Sequence, residues 1–466
     1  MVFSSVIFAF AFLPLTLLFY YISKMEYRNF ILLAASLMFY AYGEPRYVIL
    51  MMLSIVCNYF FARAIQNRSY EKKIWLILGI TYNLGILFVF KYLGFSISIF
   101  NSLFHQNMKI ISFVLPIGIS FYTFQSLSYI IDVYRGTAEA QKSIVSLGLY
   151  ISLFPQLVAG PIVRYNAIER QIRERKVGLE LFGEGAKRFI CGFCKKILLS
   201  NNLAAVSQFY FERSPIENSV AGAWLGAICF SLQIYYDFSG YSDMAIGLGK
   251  MFGFEFEENF NYPYISRSIT EFWRRWHISL GQWFRDYVYI PLGGGRVSTG
   301  RHIFNLGVVW LLTGIWHGAD FTFITWGILY FIALVVEKYI VHPEKLESTL
   351  SRSIYRILSL LYVNFCWVIF NAKSLKEGIS YWLSMFGMYS NVRLYDMEIV
   401  RMLQEYGIFI AAAIIFSMPV KRIFVGSRIY AFADKNVLPF IYLLGFLWAV
   451  SFLIIGAHNP FIYFNF

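Results

Sequence analysis

Two histidines in apolar and aromatic surroundings are the side chains of this chain best suited to chemistry. His317 follows Trp316 inside the apolar run 308–327, and Asp320 comes three positions later. A titratable group in a stretch with the composition of a membrane helix is costly, so it is a candidate functional residue. A helical turn would let the Asp320 carboxylate fix the tautomer of the imidazole. A neutral imidazole in a restricted cavity is a suitable general base for an alcohol.

The second histidine, His277, ends the string Phe272-Trp-Arg-Arg-Trp-His277. Two interpretations stay open for it. It is either a structural histidine tied to a carboxylate such as Asp286 or Glu271, or a ligand or base in a cavity. The cations and flat rings beside it suit an acyl chain or a phosphorylated carrier. The candidate substrate contacts in this string are Trp273, Arg275 and Trp276.

Two carboxylates, Asp237 and Asp243, lie six positions apart inside the apolar segment 220–251. Burying a carboxylate at such a position costs free energy unless the carboxylate is paired with a cation or is hydrated. They could relay protons, but pairing with the arginines of residues 267–285 is favoured over chemistry.

The elements that must position these residues are membrane helices. The 466 residues are 58% hydrophobic, 20% aromatic and only 14% charged, against about 25% charged in soluble proteins. Apolar runs long enough to cross a bilayer recur along the chain, and we predict ten to twelve crossings plus partial insertions. The first of these would be residues 2–21. The sequence therefore predicts an all-α polytopic membrane protein that forms a single domain over residues 1–466.

Two segments depart from this pattern. Residues 163–188 mix basic and apolar residues, which suits an amphipathic helix in the membrane interface, although a plain cytoplasmic loop fits equally well. Residues 255–301 combine many charges with many aromatic rings and include Asn259. Short or re-entrant helices that are buried in protein and line a wet cavity would satisfy both features.

Several functions are disfavoured by composition and motifs. The net charge of +13 gathers at the ends of apolar runs, as in cytoplasmic loops, which argues against nucleic-acid binding. The pair Cys191 and Cys194 lacks the further ligands of a zinc or redox site, so we predict no metal and no bound cofactor. The chain has no nucleophile elbow, no zinc-protease motif and no phosphate loop, which leaves a covalent serine mechanism unsupported.

Long motifs then resemble a known family. The motifs are Asp237-Phe-Ser-Gly-Tyr-Ser-Asp-Met-Ala-Ile-Gly-Leu-Gly249, Glu258-Asn-Phe-Asn-Tyr-Pro-Tyr264, Ile269-Thr-Glu-Phe-Trp-Arg-Arg-Trp-His-Ile-Ser-Leu280, Trp283-Phe-Arg-Asp-Tyr-Val-Tyr-Ile-Pro-Leu-Gly-Gly294 and Trp310-Leu-Leu-Thr-Gly-Ile-Trp-His-Gly-Ala319. They resemble the membrane-bound O-acyltransferase (MBOAT) family, and among its branches the alginate O-acetyltransferases. The opening residues 1–5 and the closing residues 460–466 are also similar to that branch.

The resemblance implies a helical bundle around a central tunnel, in the cell (plasma or inner) membrane. It implies that His317 is catalytic, with His277 near it. It also implies acetyl transfer from a cytoplasmic thioester, acetyl-CoA, to a hydroxyl of an extracytoplasmic polysaccharide or to a secreted, esterase-like (SGNH-type) acetyltransferase partner. D-alanyl transfer, as in the related D-alanine branch, remains an alternative.

Two readings from other classes also remain open. One is a transporter or flippase of an acyl group or a lipid-linked sugar, in which the histidines relay protons. The other is a structural membrane anchor for a partner acetyltransferase.

Overall fold

The computed structural model describes residues 1–68, 70–158, 160–389 and 393–456, apart from the side chains of 421 and 429. The closing residues 460–466, which contribute to the family resemblance, lie outside the described residues. Helices make up the secondary structure of this described part, and no strand occurs in it. The prediction of an all-α polytopic membrane protein is confirmed.

The chain divides into two compact units. The first consists of Met1–Phe189 and Ser242–Glu257, and its helix α6 is buried along nearly its whole length. The helices that begin in this unit are α1 Leu13–Ile22, α2 Met25–Gly43, α3 Tyr47–Asn67, α4 Lys72–Leu87, α5 Leu93–Phe104, α6 Ile119–Arg135, α7 Ile144–Ser152, α8 Phe154–Leu157, α9 Tyr165–Arg173 and α10 Leu179–Cys194.

The second unit consists of Ile190–Tyr241 and Glu258–Phe466. The helices that begin in it are α11 Asn201–Glu212, α12 Val220–Met251, α13 Ile269–Arg275, α14 Ile278–Phe284, α15 Thr299–His317, α16 Phe321–Val336, α17 Thr349–Asn371, α18 Leu375–Met385, α19 Met397–Phe416, α20 Val420–Phe424, α21 Arg428–Asn436 and α22 Leu438–Ile454. Among the described residues, five π-helical segments adjoin α-helices: Phe8–Phe12, Phe88–Tyr92, Lys195–Ser200, Arg285–Tyr289 and Glu337–Val341. Short 3₁₀ turns occur at Pro215–Glu217, Pro263–Ile265 and Pro343–Lys345.

Six helices of the described part are long and apolar enough to cross a membrane, or seven if the bent pair α21 and α22 counts as one. This number is smaller than the ten to twelve crossings predicted from hydropathy. The first predicted span, 2–21, is a helix over Phe8–Ile22 only. Other apolar segments, such as α6, are apolar because they are buried in protein, and composition alone does not separate burial in protein from burial in lipid.

The segment that departs most from the membrane pattern is broken into short helices. Between α12 and α15, residues 252–298 contain a 3₁₀ turn, α13, α14 and the π-helical turn Arg285–Tyr289. The left-handed backbone of Tyr262 and His277 marks two of the changes in direction. Short helices were predicted here. The re-entrant insertion of residues 255–301 and the interfacial position of residues 163–188 stay predictions.

Helices α15 and α16 form a hairpin with direct backbone contact. A β-carbon added to Gly327 would lie 2.5 Å from the carbonyl oxygen of Trp310, and one added to Gly314 would lie 2.5 Å from that of Phe323. Small residues at such contacts let two helices approach more closely than larger side chains permit. The two glycines therefore fix the spacing of the hairpin that carries His317.

The Gly327→Ala variant tests this contact. We expect it to lower the melting temperature of the purified protein, because an added methyl group in a closed contact costs about 1–3 kcal/mol. The control is Gly407→Ala in α19, where a β-carbon meets no atom within 4 Å. A helix favours alanine over glycine, so the control should melt at the same or a slightly higher temperature. Equal melting of the two variants would contradict the close approach of α15 and α16.

Candidate active site

His317 is the last residue of α15, and its imidazole is enclosed by aromatic rings. The ring centroids of Trp316, Trp326 and Phe370 lie 4.9, 5.0 and 5.3 Å from that of His317, and all three rings meet it edge to face. The side chain is buried, with 6% of its surface exposed. A polar ring in such a low-dielectric environment interacts strongly with any charge that develops beside it.

Gly318 follows His317 at the turn into α16, where the chain has no room for a side chain. A β-carbon at this position would lie 2.1 Å from the ring of Phe323. Phe323 in turn packs edge to face on Phe370, one of the rings around His317. In the Trp-His-Gly sequence, Trp316 therefore contacts the imidazole of His317, and Gly318 lets the ring of Phe323 pack directly against the backbone.

The two histidines share one aromatic neighbour. The ring of His277 lies 6.0 Å from that of Trp316, and the ring of Trp316 also contacts His317. Both imidazoles are buried, and both belong to the second compact unit. The sequence placed them forty residues apart, and the structure brings them to the same tryptophan.

His277 occupies a strained turn between α13 and α14. Its φ and ψ of 44° and 54° are left-handed, which is unfavourable for a residue other than glycine. Asn259 supports this turn, because its carbonyl oxygen accepts a hydrogen bond from the Ile278 amide at 2.9 Å. Its side-chain Oδ1 accepts from the Ser279 amide at 3.2 Å and from the Ser279 hydroxyl at 2.9 Å.

The same Oδ1 lies 3.2 Å from Nδ1 of His277, and this contact determines the tautomer. An amide oxygen only accepts hydrogen bonds, so Nδ1 carries the proton and Nε2 keeps the lone pair. Burial lowers the pKa of His277 to about 3, so the ring is neutral near pH 7. Asn259 is therefore an amide partner of His277 that the structural interpretation, which named the carboxylates Asp286 and Glu271, did not include.

Helix α13, which precedes His277, is fastened at its start by a carboxylate that the sequence analysis did not single out. Glu337 is buried and accepts hydrogen bonds from the amides of Ile269 at 2.8 Å and Thr270 at 2.7 Å. The hydroxyls of Thr270 and Tyr355 also donate to it. A carboxylate is favourable at a helix N-terminus, where amides have no partner within the helix. The available signal was an acidic residue inside the apolar segment 319–341.

The three predicted contacts in the Trp-Arg-Arg-Trp string have different surroundings. Trp273 packs edge-on against Trp310, Trp326 and Tyr330, with centroids 4.7, 5.5 and 4.8 Å away. Trp276 is buried, 4.9 Å from the ring of Trp367. Arg275 bonds to the Glu271 carboxylate at 2.8 Å and to the Asn261 carbonyl at 3.0 Å, which makes it a support of the segment.

Asp320 has a role that differs from the predicted one. Its side chain accepts a hydrogen bond from the Thr322 amide at 2.9 Å and so caps the N-terminus of α16. We had expected the carboxylate to orient the imidazole of His317. The helix ends at His317, and the extended backbone of Gly318 and Asp320 removes the helical turn on which that expectation rested.

Asp237 and Asp243 are paired, as favoured, but with partners from another segment. Asp237 forms an ion pair of 2.5 Å with Lys196, and both side chains are fully buried. Asp243 pairs with Arg188, again at 2.5 Å. The predicted partners, the arginines of 267–285, were wrong, because both cations belong to the stretch 179–212. No group of three or more potential metal ligands occurs in the described ranges.

Comparison with known proteins shows the family to which the chain belongs. The sequence pattern of the membrane-bound O-acyltransferase family matches residues 138–378, which include both histidines. A probable alginate O-acetylase AlgI of Pseudomonas aeruginosa is 43% identical over 396 residues, which cover 83% of this chain and 75% of that protein. The chain belongs to the membrane-bound O-acyltransferase family.

Other relatives show how broad this family is. A peptidoglycan O-acetyltransferase of Helicobacter pylori is 35% identical, over 83% of this chain and 80% of its own length. A teichoic acid D-alanyltransferase of Bacillus subtilis is 27% identical, over 57% of this chain and 69% of its own length. The chain is an O-acetyltransferase of the membrane-bound O-acyltransferase family, and the predicted family is confirmed.

The support of the His277 turn by Asn259 is testable. Asn259→Ala leaves three donors without their acceptor, and each buried donor left unpaired costs about 1–3 kcal/mol. We expect a clearly lower melting temperature, whereas Asn259→Asp, which keeps an acceptor oxygen, should lose less. Asn107→Ala, at an exposed position, is the control. A normal melting temperature for Asn259→Ala would show that the turn does not depend on this side chain.

Substitutions at the buried ion pair of Lys196 and Asp237 distinguish a structural role of this pair from a role in the reaction. Lys196→Met leaves a buried carboxylate without its cation, which typically costs about 3–5 kcal/mol. The double variant Lys196→Met/Asp237→Asn removes both charges and should recover much of the stability and the activity. Arg68→Met, in an exposed pair with Glu71, should change little. A stable but inactive double variant would instead support proton relay by this pair.

Proposed function

We propose that this protein moves an acetyl group from a cytoplasmic thioester, acetyl-CoA, to a hydroxyl on the other side of the membrane. The observation that carries the proposal is the enclosed pair of imidazoles around Trp316, one of which is held as a defined neutral tautomer. An acyl transfer needs a base for the acceptor hydroxyl and a site that excludes water, since water would hydrolyse the thioester.

His317 is the proposed general base. The acceptor hydroxyl attacks the thioester carbonyl while the imidazole takes its proton. The carbon–sulfur bond then breaks, and the imidazolium returns the proton to the departing thiolate, so that an ester and a free thiol are formed. The aromatic wall of Trp316, Trp326 and Phe370 excludes water from this exchange.

His277 is the proposed positioning residue for the donor. Its Nδ1 is engaged by Asn259, and Nε2 has a lone pair that can accept a hydrogen bond from the donor or the acceptor. Because burial keeps the ring neutral near pH 7, Nε2 retains this lone pair.

The distribution of charge supports an orientation in the cell membrane. Basic residues gather at the end of the α15–α16 hairpin where α15 begins and α16 ends, among them Arg296, Arg301, Lys338 and Lys345. The opposite end, residues 318–320, carries no basic residue. By the positive-inside rule the basic end is cytoplasmic, so acetyl transfer at His317 lies toward the other compartment.

The acceptor class is proposed from the relatives. Those named for O-acetylation act on alginate and on peptidoglycan, both of which contain sugar hydroxyls. We therefore propose a polysaccharide outside the cytoplasm as the final acceptor, reached directly or through a secreted SGNH-type acetyltransferase. The relative named for D-alanyl transfer makes a D-alanyl donor the alternative for the same site.

The central test replaces His317, the proposed general base. We expect His317→Ala to abolish acetylation of the surface polymer, because loss of a general base typically costs about 100- to 10,000-fold in rate. His277→Ala should reduce the rate less and raise the donor KM. The measurement is ester-linked acetate on the polymer of cells that express each variant, together with consumption of labelled acetyl-CoA in membranes.

His105→Gln, at an exposed position outside the site, is the matched control and should behave as the parent protein does. Normal acetylation in a membrane-inserted His317→Ala variant would overturn the proposed mechanism. Activity with both histidines replaced would favour a structural anchor. Transfer of D-alanine instead of acetate would assign the chain to the alternative donor.

A further inference from the structure

A cavity lined by three guanidinium groups lies between α13, α17 and the residues that follow α19, all in the second unit. Its volume is about 340 Å³, roughly ten times the ~30 Å³ of a water molecule in the liquid, which is enough for a phosphate group with a small alcohol. The charged residues of the lining are Arg267, Glu271, Arg275 and Arg356. The cavity therefore has three positive charges against one negative charge.

Helix α13 separates this cavity from the proposed catalytic histidines. Glu271 and Arg275, four positions apart, share one face of α13, and both line the cavity. Trp273, two positions after Glu271, lies on another face, where its ring packs on that of Trp326 beside His317. A ligand in the cavity is therefore not a reactant at His317.

The single carboxylate of the lining is already engaged. Glu271 forms an ion pair of 2.8 Å with Arg275 and accepts a hydrogen bond from the Arg267 amide at 2.8 Å. The guanidinium groups of Arg267 and Arg356 form no ion pair within the described ranges, and both residues are exposed. Cations that face one concave surface concentrate anions there. Guanidinium groups also match the oxygen atoms of a phosphate, which accept paired and charge-assisted hydrogen bonds.

Hydrogen bonds connect the walls of the cavity. Tyr355 of α17 donates to Glu337 at 2.8 Å, and Glu337 accepts from the first amides of α13. Asn261 accepts from Arg275 through its main-chain carbonyl at 3.0 Å and from Arg422 of α20 through its side chain at 2.9 Å. A binding surface that is fixed in advance loses less conformational entropy when its ligand arrives.

The cavity lies where two membrane helices end. Helices α17 and α19 are both long and apolar enough to cross a membrane. Arg356 lines the cavity from the first half of α17, and Met418 lines it from just beyond the end of α19. The nearby Ile357 and Phe416 are each 58% exposed, so both helices present apolar side chains to the lipid at this level.

The side of the membrane favours a lipid headgroup. Only residues 342–348 separate the π-helical end of the α16 segment from α17, so the start of α17 lies on the same side as the end of α16. This is the cytoplasmic side in the orientation proposed above. Basic pockets between membrane helices on that side bind the headgroups of anionic lipids, which are attracted by about 1 kcal/mol for each Lys or Arg near the surface.

From these observations we infer that the cavity formed by Arg267, Arg275 and Arg356 binds the phosphate of an anionic phospholipid, whose acyl chains lie along the apolar side chains of α17 and α19. The bound lipid connects the start of α13 to two membrane helices. This inference rests on the proposed orientation in the membrane and is independent of the proposed reaction. A free phosphate ion offers the same chemistry, so the experiment separates the two sources.

The test measures binding of phosphatidylglycerol to the full-length protein in a neutral detergent by native mass spectrometry, with phosphatidylcholine as the zwitterionic comparison. The parent protein should bind phosphatidylglycerol more tightly, because the choline cation offsets the charge of the phosphate. We expect Arg267→Gln and Arg356→Gln each to weaken phosphatidylglycerol binding by about 5- to 10-fold, the effect of losing one charge-assisted contact. Arg352→Gln, an equal change of charge at an exposed position one turn earlier in α17 and outside the cavity, is the control and should bind as the parent protein does.

A second measurement compares each protein with itself, so it does not depend on the stability of a variant. A lipid that binds the folded state raises the melting temperature, and the rise on adding phosphatidylglycerol should be larger for the parent and Arg352→Gln than for Arg267→Gln and Arg356→Gln. Excess inorganic phosphate should leave phosphatidylglycerol bound to the parent protein.

Three results would overturn the lipid site. Equal affinity of the parent protein for phosphatidylglycerol and phosphatidylcholine would show that the phosphate charge is not recognised. An equal loss of binding in Arg352→Gln and Arg356→Gln would assign the attraction to surface charge in general. Displacement of phosphatidylglycerol by inorganic phosphate would assign the cavity to a free anion. None of these results bears on acetyl transfer at His317.

Discussion

The contact between the Glu337 carboxylate and the first amides of α13 is the interaction on which the site depends. A seven-residue helix has few hydrogen bonds of its own, and its first amides must find partners elsewhere. Glu337 takes those of Ile269 and Thr270, and the Ser268 hydroxyl takes that of Glu271. With its N-terminus satisfied, α13 can end in the abrupt turn that presents His277.

That turn illustrates how local strain is maintained by its surroundings. A left-handed residue costs about 1–2 kcal/mol relative to ordinary backbone, so it persists only where neighbouring bonds favour it. Asn259 supplies them with its carbonyl and its amide oxygen at once, and in doing so it fixes the tautomer of His277. The geometry of the backbone and the tautomer of the ring are therefore set by one residue.

The aromatic content of the second unit is the other condition for this arrangement. Trp273, Trp316 and Trp326 fill the space between the short helices and the α15–α16 hairpin with large, stiff side chains. Rings of this kind bury much area with little loss of side-chain freedom and contact one another edge to face. They leave the imidazoles as polar groups in an apolar wall, where a hydrogen bond or a developing charge is poorly screened.

The sequence by itself determined the class of protein and the family, and it singled out His277 and His317 as candidate site residues, because these inferences depend on composition and on local motifs. It also gave the limits of α12 and the broken character of residues 255–301, since charges among aromatic rings are incompatible with a plain spanning helix. The ten to twelve crossings stay a prediction, since six or seven helices of the described part are by themselves long and apolar enough to span. Residues buried in protein and residues buried in lipid are equally apolar, so composition does not separate the two.

Only the tertiary structure decided which charged and polar side chains pair with one another. Lys196 reaches Asp237, Arg188 reaches Asp243 and Glu337 reaches α13, in pairs that lie 41, 55 and 67–68 residues apart along the chain. Asp320 caps a helix instead of orienting His317 because α15 ends at His317 itself. Side chains of one type are interchangeable in a sequence, and which of them meet depends on how the helices pack.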